Sequence, residues 1–434
     1  MRMMDGAPAG LTTASGERLE VEKRLGSGGQ GAVYQVRVRG EARALKLYHP
    51  HMATPAQRQG IEQLVRKGPP TPHFLWPLEM VVAPSDGRFG YLMDLREPRF
   101  RHSEDFMARR VEPTFRALIT AGYQLAFAFW QLHAKGLCYR DISFGNVFFD
   151  PQTGDVRICD NDNIDVNGAA LSGVIGTPRF MAPEVVRGEE PPSAETDRYS
   201  LAVLLFYLLE GGHPLDGARE ARIRCLDLPA MNKLYGTEPL YIHDPQDASN
   251  RPVPGIHDNP IAFHPLYPES IRQLFLQSFT GGLHSQHQRV RESQWCKELV
   301  QVRDTLAYCP RCAAQCFHDP EALKTHGALT CWSCKSPVQL PPRLRIGKRI
   351  IMLNHDTRLF SDHLTDDLDF EVPVAEVRQK PDDPSVWGLR NLSREKWTFT
   401  RPDGSTADVP PGASVPLVSG NVVNFGTAQG EIRA

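Results

Sequence analysis

No run of apolar residues in the sequence is longer than the nine of LAVLLFYLL, Leu201 to Leu209, about half of what a membrane-spanning helix needs. No membrane span is therefore expected. The opening MRMMDGAPAG lacks the apolar stretch of a secretory signal, so a cytoplasmic location is expected. Charge of either sign is not in excess: 49 Lys and Arg against 51 Asp and Glu leave a formal −2. That balance gives no global basic surface, and nucleic acid is not expected as a partner. Internal repeats and low-complexity tracts are also absent. Cysteine is sparse, nine in 434 residues, and is not spread as a disulfide framework. Cys309/Cys312 and Cys331/Cys334 form two close pairs, whereas Cys138, Cys159, Cys225 and Cys296 are scattered. This usage suits a reducing compartment and a metal site. The length allows two or three domains, each with its own core.

Residues 1–18 read as an N-terminal tail. From Leu19 to about Leu95 the pattern is alternating and β-rich, interrupted by one helical stretch from Thr54 to Lys67. From Pro113 the period becomes helical, with FRALITAGYQLAFAFWQLHAKG stopping at Gly136, a residue suited to a helix end. A Pro-rich stretch from Leu228 to Pro268 reads as a long insertion between helices. Helical pattern returns at SIRQLFLQSF and SQWCKELVQVRDTLA, and the chain beyond QLPPRLR is strand-like.

Gly26, Gly28 and Gly31 form G-x-G-x-x-G, with Ser27 and Gly29 between them and Val33 two residues on. Strand pattern flanks the motif on both sides, so it predicts a hairpin lid over phosphates rather than the strand-to-helix turn of a dinucleotide site. Glycine suits such a lid because a Cβ would hold the backbone amides away from phosphate oxygens. Lys46 follows in ALKLY, two residues after Ala44 and between apolar neighbours. A lysine pointing inward there needs an anionic partner, such as the α and β phosphates of a nucleotide. Glu62, in the next helical stretch, is the expected carboxylate partner of Lys46, although one helical turn further on lies Arg66 rather than an apolar residue.

With YRDISFGN, VRICDND and GTPRFMAPEVV in this order, the chain from Leu19 to about Ala307 resembles the protein kinase family. The resemblance implies an α+β, bilobal fold with a β-rich first lobe and a helical second lobe. It implies an ATP- and Mg²⁺-dependent serine/threonine kinase acting on protein hydroxyls and on itself. Asp141 would take the substrate proton, and Asn146 and Asp160 would hold Mg²⁺. Met93 would be the gatekeeper, with Asp94 and Leu95 in the adenine hinge. Asp197 would hydrogen-bond the catalytic-loop backbone, Glu184 and Arg291 would form a structural ion pair, and Arg140 would receive a phosphate placed at Ser172 or Thr177. Three positions depart from the family pattern: Tyr139 replaces histidine, Asn161 and Asp162 replace Phe-Gly, and Ser143 replaces a lysine near the γ-phosphate. The last predicts slow turnover unless a cation such as Arg179 fills the gap. Two rival readings are a nucleotide-binding pseudokinase scaffold and a small-molecule phosphotransferase.

The pairs CPRC and CWSC, eighteen residues apart, have the spacing of a tetrahedral zinc site. Residues 308–340 resemble a zinc ribbon, in which Cys309, Cys312, Cys331 and Cys334 would hold a structural Zn²⁺. Cys316, His318 and His326 lie close enough in sequence to substitute for one ligand. The few basic residues there, Arg311, Lys324 and Lys335, are too sparse for nucleic-acid binding. Residues 345–434 have short strands at regular intervals, an all-β sandwich signature, and their end resembles forkhead-associated domains. The combination is similar to bacterial kinases that work beside a PP2C-type phosphatase and a von Willebrand type A protein, which implies those partners.

Overall fold

The computed structural model describes residues 10–84, 87–166, 176–319, 329–367, 370 and 372–433. Two compact units divide the chain: Met1–Ile261 with Leu274–Trp295, and Ala262–Gln273 with Cys296–Ala434.

The first unit begins with an antiparallel sheet of six strands: β1 (Thr12–Thr13), β2 (Glu20–Ser27), β3 (Gly31–Val38), β4 (Glu41–Tyr48), β5 (Glu79–Ala83) and β6 (Arg88–Met93), in the spatial order β1-β5-β6-β4-β3-β2. Apolar residues alternate along β3 and β4, and Tyr34, Val36, Leu45 and Leu47 bury one face together with Val81 and Leu92. The expected tail is corrected at its end. Thr12 and Thr13 pair with Val82 and Val81, and Leu11 joins the core, because an apolar Leu beside a bare sheet edge gains more buried than exposed. Helix α1 (Pro55–Lys67) starts where expected: the Thr54 side chain caps the Gln57 amide at 3.2 Å and proline occupies the first turn.

The rest of this unit is mainly helical, with two small antiparallel sheets, one of Arg101–His102, Val147–Phe149 and Val156–Ile158 and one of Leu137–Cys138 and Asp165–Val166. Helix Phe115–Ala134 buries Leu118, Ile119, Leu125, Phe129 and Leu132, and Gly136 follows it with φ +69°. Helix Ala194–Glu210 is buried nearly throughout and apolar on every side from Leu201 to Leu209, and is opened by a capping box between Ser193 and Thr196. The Pro-rich stretch is not a loose insertion. It carries short helical turns and is stitched to the core by Asn250, which donates to the carbonyls of Leu215 at 3.0 Å and Leu240 at 2.7 Å. Buried asparagine satisfies loop carbonyls that lack a ladder partner.

In the second unit, strands Leu306–Tyr308 and Gln315–Phe317 form a hairpin beside the paired cysteines. Two antiparallel sheets follow, one of six strands and one of four. The six-stranded sheet opens at Arg343, two residues before the boundary expected from the sequence. Leu344, Ile351, Trp397, Phe399 and Val423 from that sheet meet Leu359, Val377, Leu389 and Val415 from the other in one buried core.

Candidate active site

The glycine motif forms the turn between β2 and β3, with Gly26 opposite Val33 and Ser27 opposite Ala32. Its third glycine has a packing reason: a Cβ on Gly31 would sit 2.4 Å from the Leu47 carbonyl oxygen. Around Gly26, Gly28 and Gly29 there is open space, which leaves the backbone approachable. Register places Val33 opposite Lys46 and Ala44 opposite Met93, so the roof of the cleft and the end of β6 share one surface. Asp94, just past β6, is exposed and pairs with Arg43 at 2.5 Å, and Leu95 follows it half-buried.

Lys46 is buried but does not meet Glu62. Its ammonium donates to Asp162 at 2.8 Å, to Gln30 Oε1 at 2.9 Å and to Asp160 Oδ1 at 3.4 Å. Burial alone would lower the Lys46 pKa, but the Asp162 and Asp160 charges outweigh it and raise it. Tyr48 donates to Asp162 Oδ2 at 2.5 Å and Tyr91 to Oδ1 at 3.4 Å. The Glu62 expectation is corrected: it is 42% exposed and pairs with Arg58 at 2.9 Å. The inward face of α1 carries Ile61 and Leu64, and Glu62 is turned about 100° from the first and about 160° from the second.

The aspartate loop is built on Asp197. Its Oδ1 accepts the Arg140 amide at 2.9 Å and its Oδ2 accepts the Tyr139 amide at 2.5 Å. Tyr139 is fully buried, packs on Phe129 and donates to the Cys159 carbonyl. A phenol thus spans the gap a histidine fills in the family pattern. Asn146 Nδ2 donates to the Asp141 carbonyl at 2.8 Å and to Asp141 Oδ2 at 3.2 Å, while Thr177 donates to Oδ1 at 2.7 Å. The Cys159 amide donates to the Asn146 carbonyl at 2.9 Å, which ties the Asn146 loop to the residue before Asp160. Asp160 is left-handed, with φ 51° and ψ 41°. Asn161 is completely buried and donates to the Leu75 carbonyl at 2.8 Å and the Ile158 carbonyl at 3.1 Å, a polar clamp where the family has a mobile apolar ring.

Several further expectations change. The partner of Glu184 is Arg289, bidentate at 2.8 Å, and not Arg291. Arg140 is buried beside Asp165 at 3.4 Å, so its guanidinium already faces a carboxylate. Thr177 is engaged with Asp141, and Ser172 lies outside the described residues. Arg179, the cation expected to fill the Ser143 gap, is engaged by Asp216. The sequence also gave no warning of His133. It lies between Asp197 at 3.1 Å and Glu292 at 2.6 Å, with Arg198 on the far side of Glu292 at 3.0 Å.

Although burial opposes protonation, the two carboxylates raise the His133 pKa from 6.5 to about 9. A cation favoured in the folded state stabilises fully below pH 6.5, and that contribution is lost as pH rises through about 9. His133→Gln should therefore be less stable than wild type at pH 6, by on the order of 3 kcal/mol, and the difference should shrink by pH 10. Denaturant unfolding at the two pH values measures this; a gap independent of pH would contradict it.

The four paired cysteines come together: their Sγ atoms all lie within 4.8 Å of one another, with Cys309–Cys334 at 3.5 Å and Cys312–Cys331 at 3.6 Å. These separations are far beyond a disulfide bond and close to the edge of a tetrahedron of thiolates around zinc, roughly 3.8 Å for Zn–S bonds of about 2.3 Å. Each knuckle is followed by a left-handed residue, Ala313 and Lys335, whose amides close the turn by donating to the Cys309 and Cys331 carbonyls at 2.9 and 3.0 Å. Neither Cys316 nor His318 belongs to the cluster; Lys324 and His326 lie outside the described residues.

A β-rich lobe with a buried lysine, joined to a helical lobe with an Asp-Asn loop, defines the class: a bilobal kinase fold. The family model described as protein kinase domain matches residues 93–309, half of the chain, and the chain belongs to that family. The match begins at Met93, so the glycine motif and Lys46 stand on the geometry above. Curated relatives include NUAK family SNF1-like kinase 2 of Rattus norvegicus, 33% identical over 22% of this chain and 15% of its own length. Probable serine/threonine-protein kinase CCRP1 of Zea mays is 30% identical over 26% and 18%. Atypical protein kinase C of Drosophila melanogaster is 35% identical over 26% and 19%. The chain thus spans under a fifth of the length of these relatives.

Proposed function

We propose that the chain transfers the γ-phosphoryl group of ATP to serine and threonine hydroxyls of proteins, including its own. The observation that carries this reading is the Asp141 carboxylate, steadied by Asn146 and Thr177 in a loop whose backbone Asp197 holds. In this reading Asp141 orients the acceptor hydroxyl and takes its proton. Lys46 binds the α and β phosphates, whose oxygens replace the Gln30 amide oxygen now on its ammonium. Asp160, 46% exposed, and the amide oxygen of Asn146 are hard oxygen donors fitted to Mg²⁺. Bound there, Mg²⁺ supplies charge neutralisation for the phosphates. Zn²⁺ on the four thiolates would be structural, since no ligand position is left open. The two-sheet core supports a forkhead-associated-like module for the last strands, and the PP2C-type phosphatase and von Willebrand type A protein are the partners to look for by co-purification.

Incubation of the purified chain with γ-labelled ATP, Mg²⁺ and a basic protein substrate tests the reading. Label on phosphoserine and phosphothreonine is expected; label on tyrosine alone, or none, would favour respectively another specificity or the pseudokinase scaffold.

Ser143 is buried and brings no charge, and Arg179 is engaged by Asp216. A lost preorganised donor typically costs on the order of 10²–10³ in rate. Ser143→Lys should therefore raise kcat with little change in the KM for ATP. A lysine variant no faster than wild type would remove the charge-deficit argument.

A further inference from the structure

Glu62 is the one carboxylate in α1, and it points to Arg58. The α1 side chain that reaches the surroundings of Lys46 is neutral: Gln57 donates to the Tyr48 hydroxyl at 3.1 Å and to the Asp162 carbonyl at 3.4 Å. The negative charge comes instead from Asp162, whose side chain is 0% exposed against 6% for Lys46. Tyr48 and Tyr91 donate to the same carboxylate, so it is held on its oxygens as well as by the lysine. Its backbone is equally fixed, because the preceding Asn161 is hydrogen-bonded to Leu75 and Ile158. Two aspartates two residues apart are thereby divided in environment: Asp160 is half exposed toward the cleft, and Asp162 is sealed behind the lysine.

We propose that Asp162 is the positioning residue of Lys46: the lysine's counter-ion is built into the segment of Asp160, not carried on helix α1. A shift of α1 then leaves the ion pair standing, and the phosphate-binding position of the ammonium is set by the same short turn that presents Asp160. An ammonium held by a buried, doubly hydrogen-bonded carboxylate keeps one geometry, which is what binding the α and β phosphates requires. The inference rests on the kinase reading of Lys46, and the controls below separate the two.

The test uses the full chain, titrated with a fluorescent ATP analogue in Mg²⁺ and assayed for label transfer. Lys46→Ala is the reference. Asp162→Asn should weaken nucleotide binding about tenfold and lower kcat on the order of 10²-fold, the scale of a misplaced catalytic group. Adding Gln57→Glu to Asp162→Asn moves a carboxylate onto α1 beside the same tyrosine and should restore about tenfold of the loss. Glu62→Gln should stay within about twofold of wild type. Asp162→Asn behaving as wild type, or remaining dead after Gln57→Glu while folded, would overturn the inference. If Asp162→Asn does not fold, Glu62→Gln decides: an effect as large as that of Lys46→Ala overturns it, and wild-type behaviour upholds it. If Lys46→Ala itself changes nothing, the kinase reading of the lysine falls instead.

Discussion

Asp141→Asn should lower label transfer by a factor on the order of 10²–10⁴, the usual contribution of a positioned general base, with nucleotide affinity little changed. The substitution preserves shape, and the carbonyl end of the new amide can still accept the Thr177 hydroxyl. The other end becomes a donor facing the Asn146 amide, which now donates to Asp141 Oδ2 at 3.2 Å. That contact is lost, but Asn146 keeps its shorter bond to the main-chain oxygen at 2.8 Å. The loop should hold its course, because Asp197 grips the backbone of the two preceding residues. Nucleotide contacts through Lys46 and the glycine turn lie on other elements and should persist. An equal rate in variant and wild type would remove Asp141 from the chemistry; lost nucleotide binding would mean that its role is structural.

The second large effect is expected at the cysteines. The buried cluster there is small, with Ala307, Cys309, Cys316, Cys331 and Val338 at its centre. So few apolar groups cannot offset the chain entropy of two knuckles and their connection. A structural zinc can, since its binding free energy becomes folding free energy, on the order of 10–16 kcal/mol in isolated zinc fingers. The purified chain should contain one equivalent of zinc. Cys331→Ser should lose it, and so should wild type treated with a strong chelator at low pH, where protons compete for thiolate. Limited proteolysis should then open the chain within residues 308–340. Protein prepared without chelator and found free of zinc would refute the site, as would a Cys331→Ser variant that keeps both metal and protease resistance.

What the sequence made legible is what local spacing encodes. Gly26 to Gly31, Lys46 in its strand, Asp141 five residues before Asn146, and the two C-x-x-C pairs all declare themselves within short windows. The partners of these residues are another matter, because they are set by helix phase and by contacts across more than a hundred positions. Charge and order along the chain point to Glu62, yet Ile61 and Leu64 mark the buried stripe of α1, and Glu62 lies off it. Arg289 and Arg291 differ by two residues, and only the path of the turn decides which faces Glu184. Asp162 did leave a signal: a carboxylate stands where the family pattern has glycine, which is costly in a buried segment unless a cation meets it. Thr12 and Thr13 left almost none, since a two-residue strand is fixed by the edge it joins.

That the γ-phosphoryl group of ATP passes to protein hydroxyls through Asp141 is tested most directly by one measurement. The chain is incubated with Mg²⁺ and ATP labelled in parallel at the α or the γ position, beside Asp141→Asn, and protein-bound label is counted. The account predicts γ label on serine and threonine in wild type, α label remaining in ADP, and neither on the Asp141→Asn protein. Label from the α position on protein, or γ label found only as free phosphate, would contradict it.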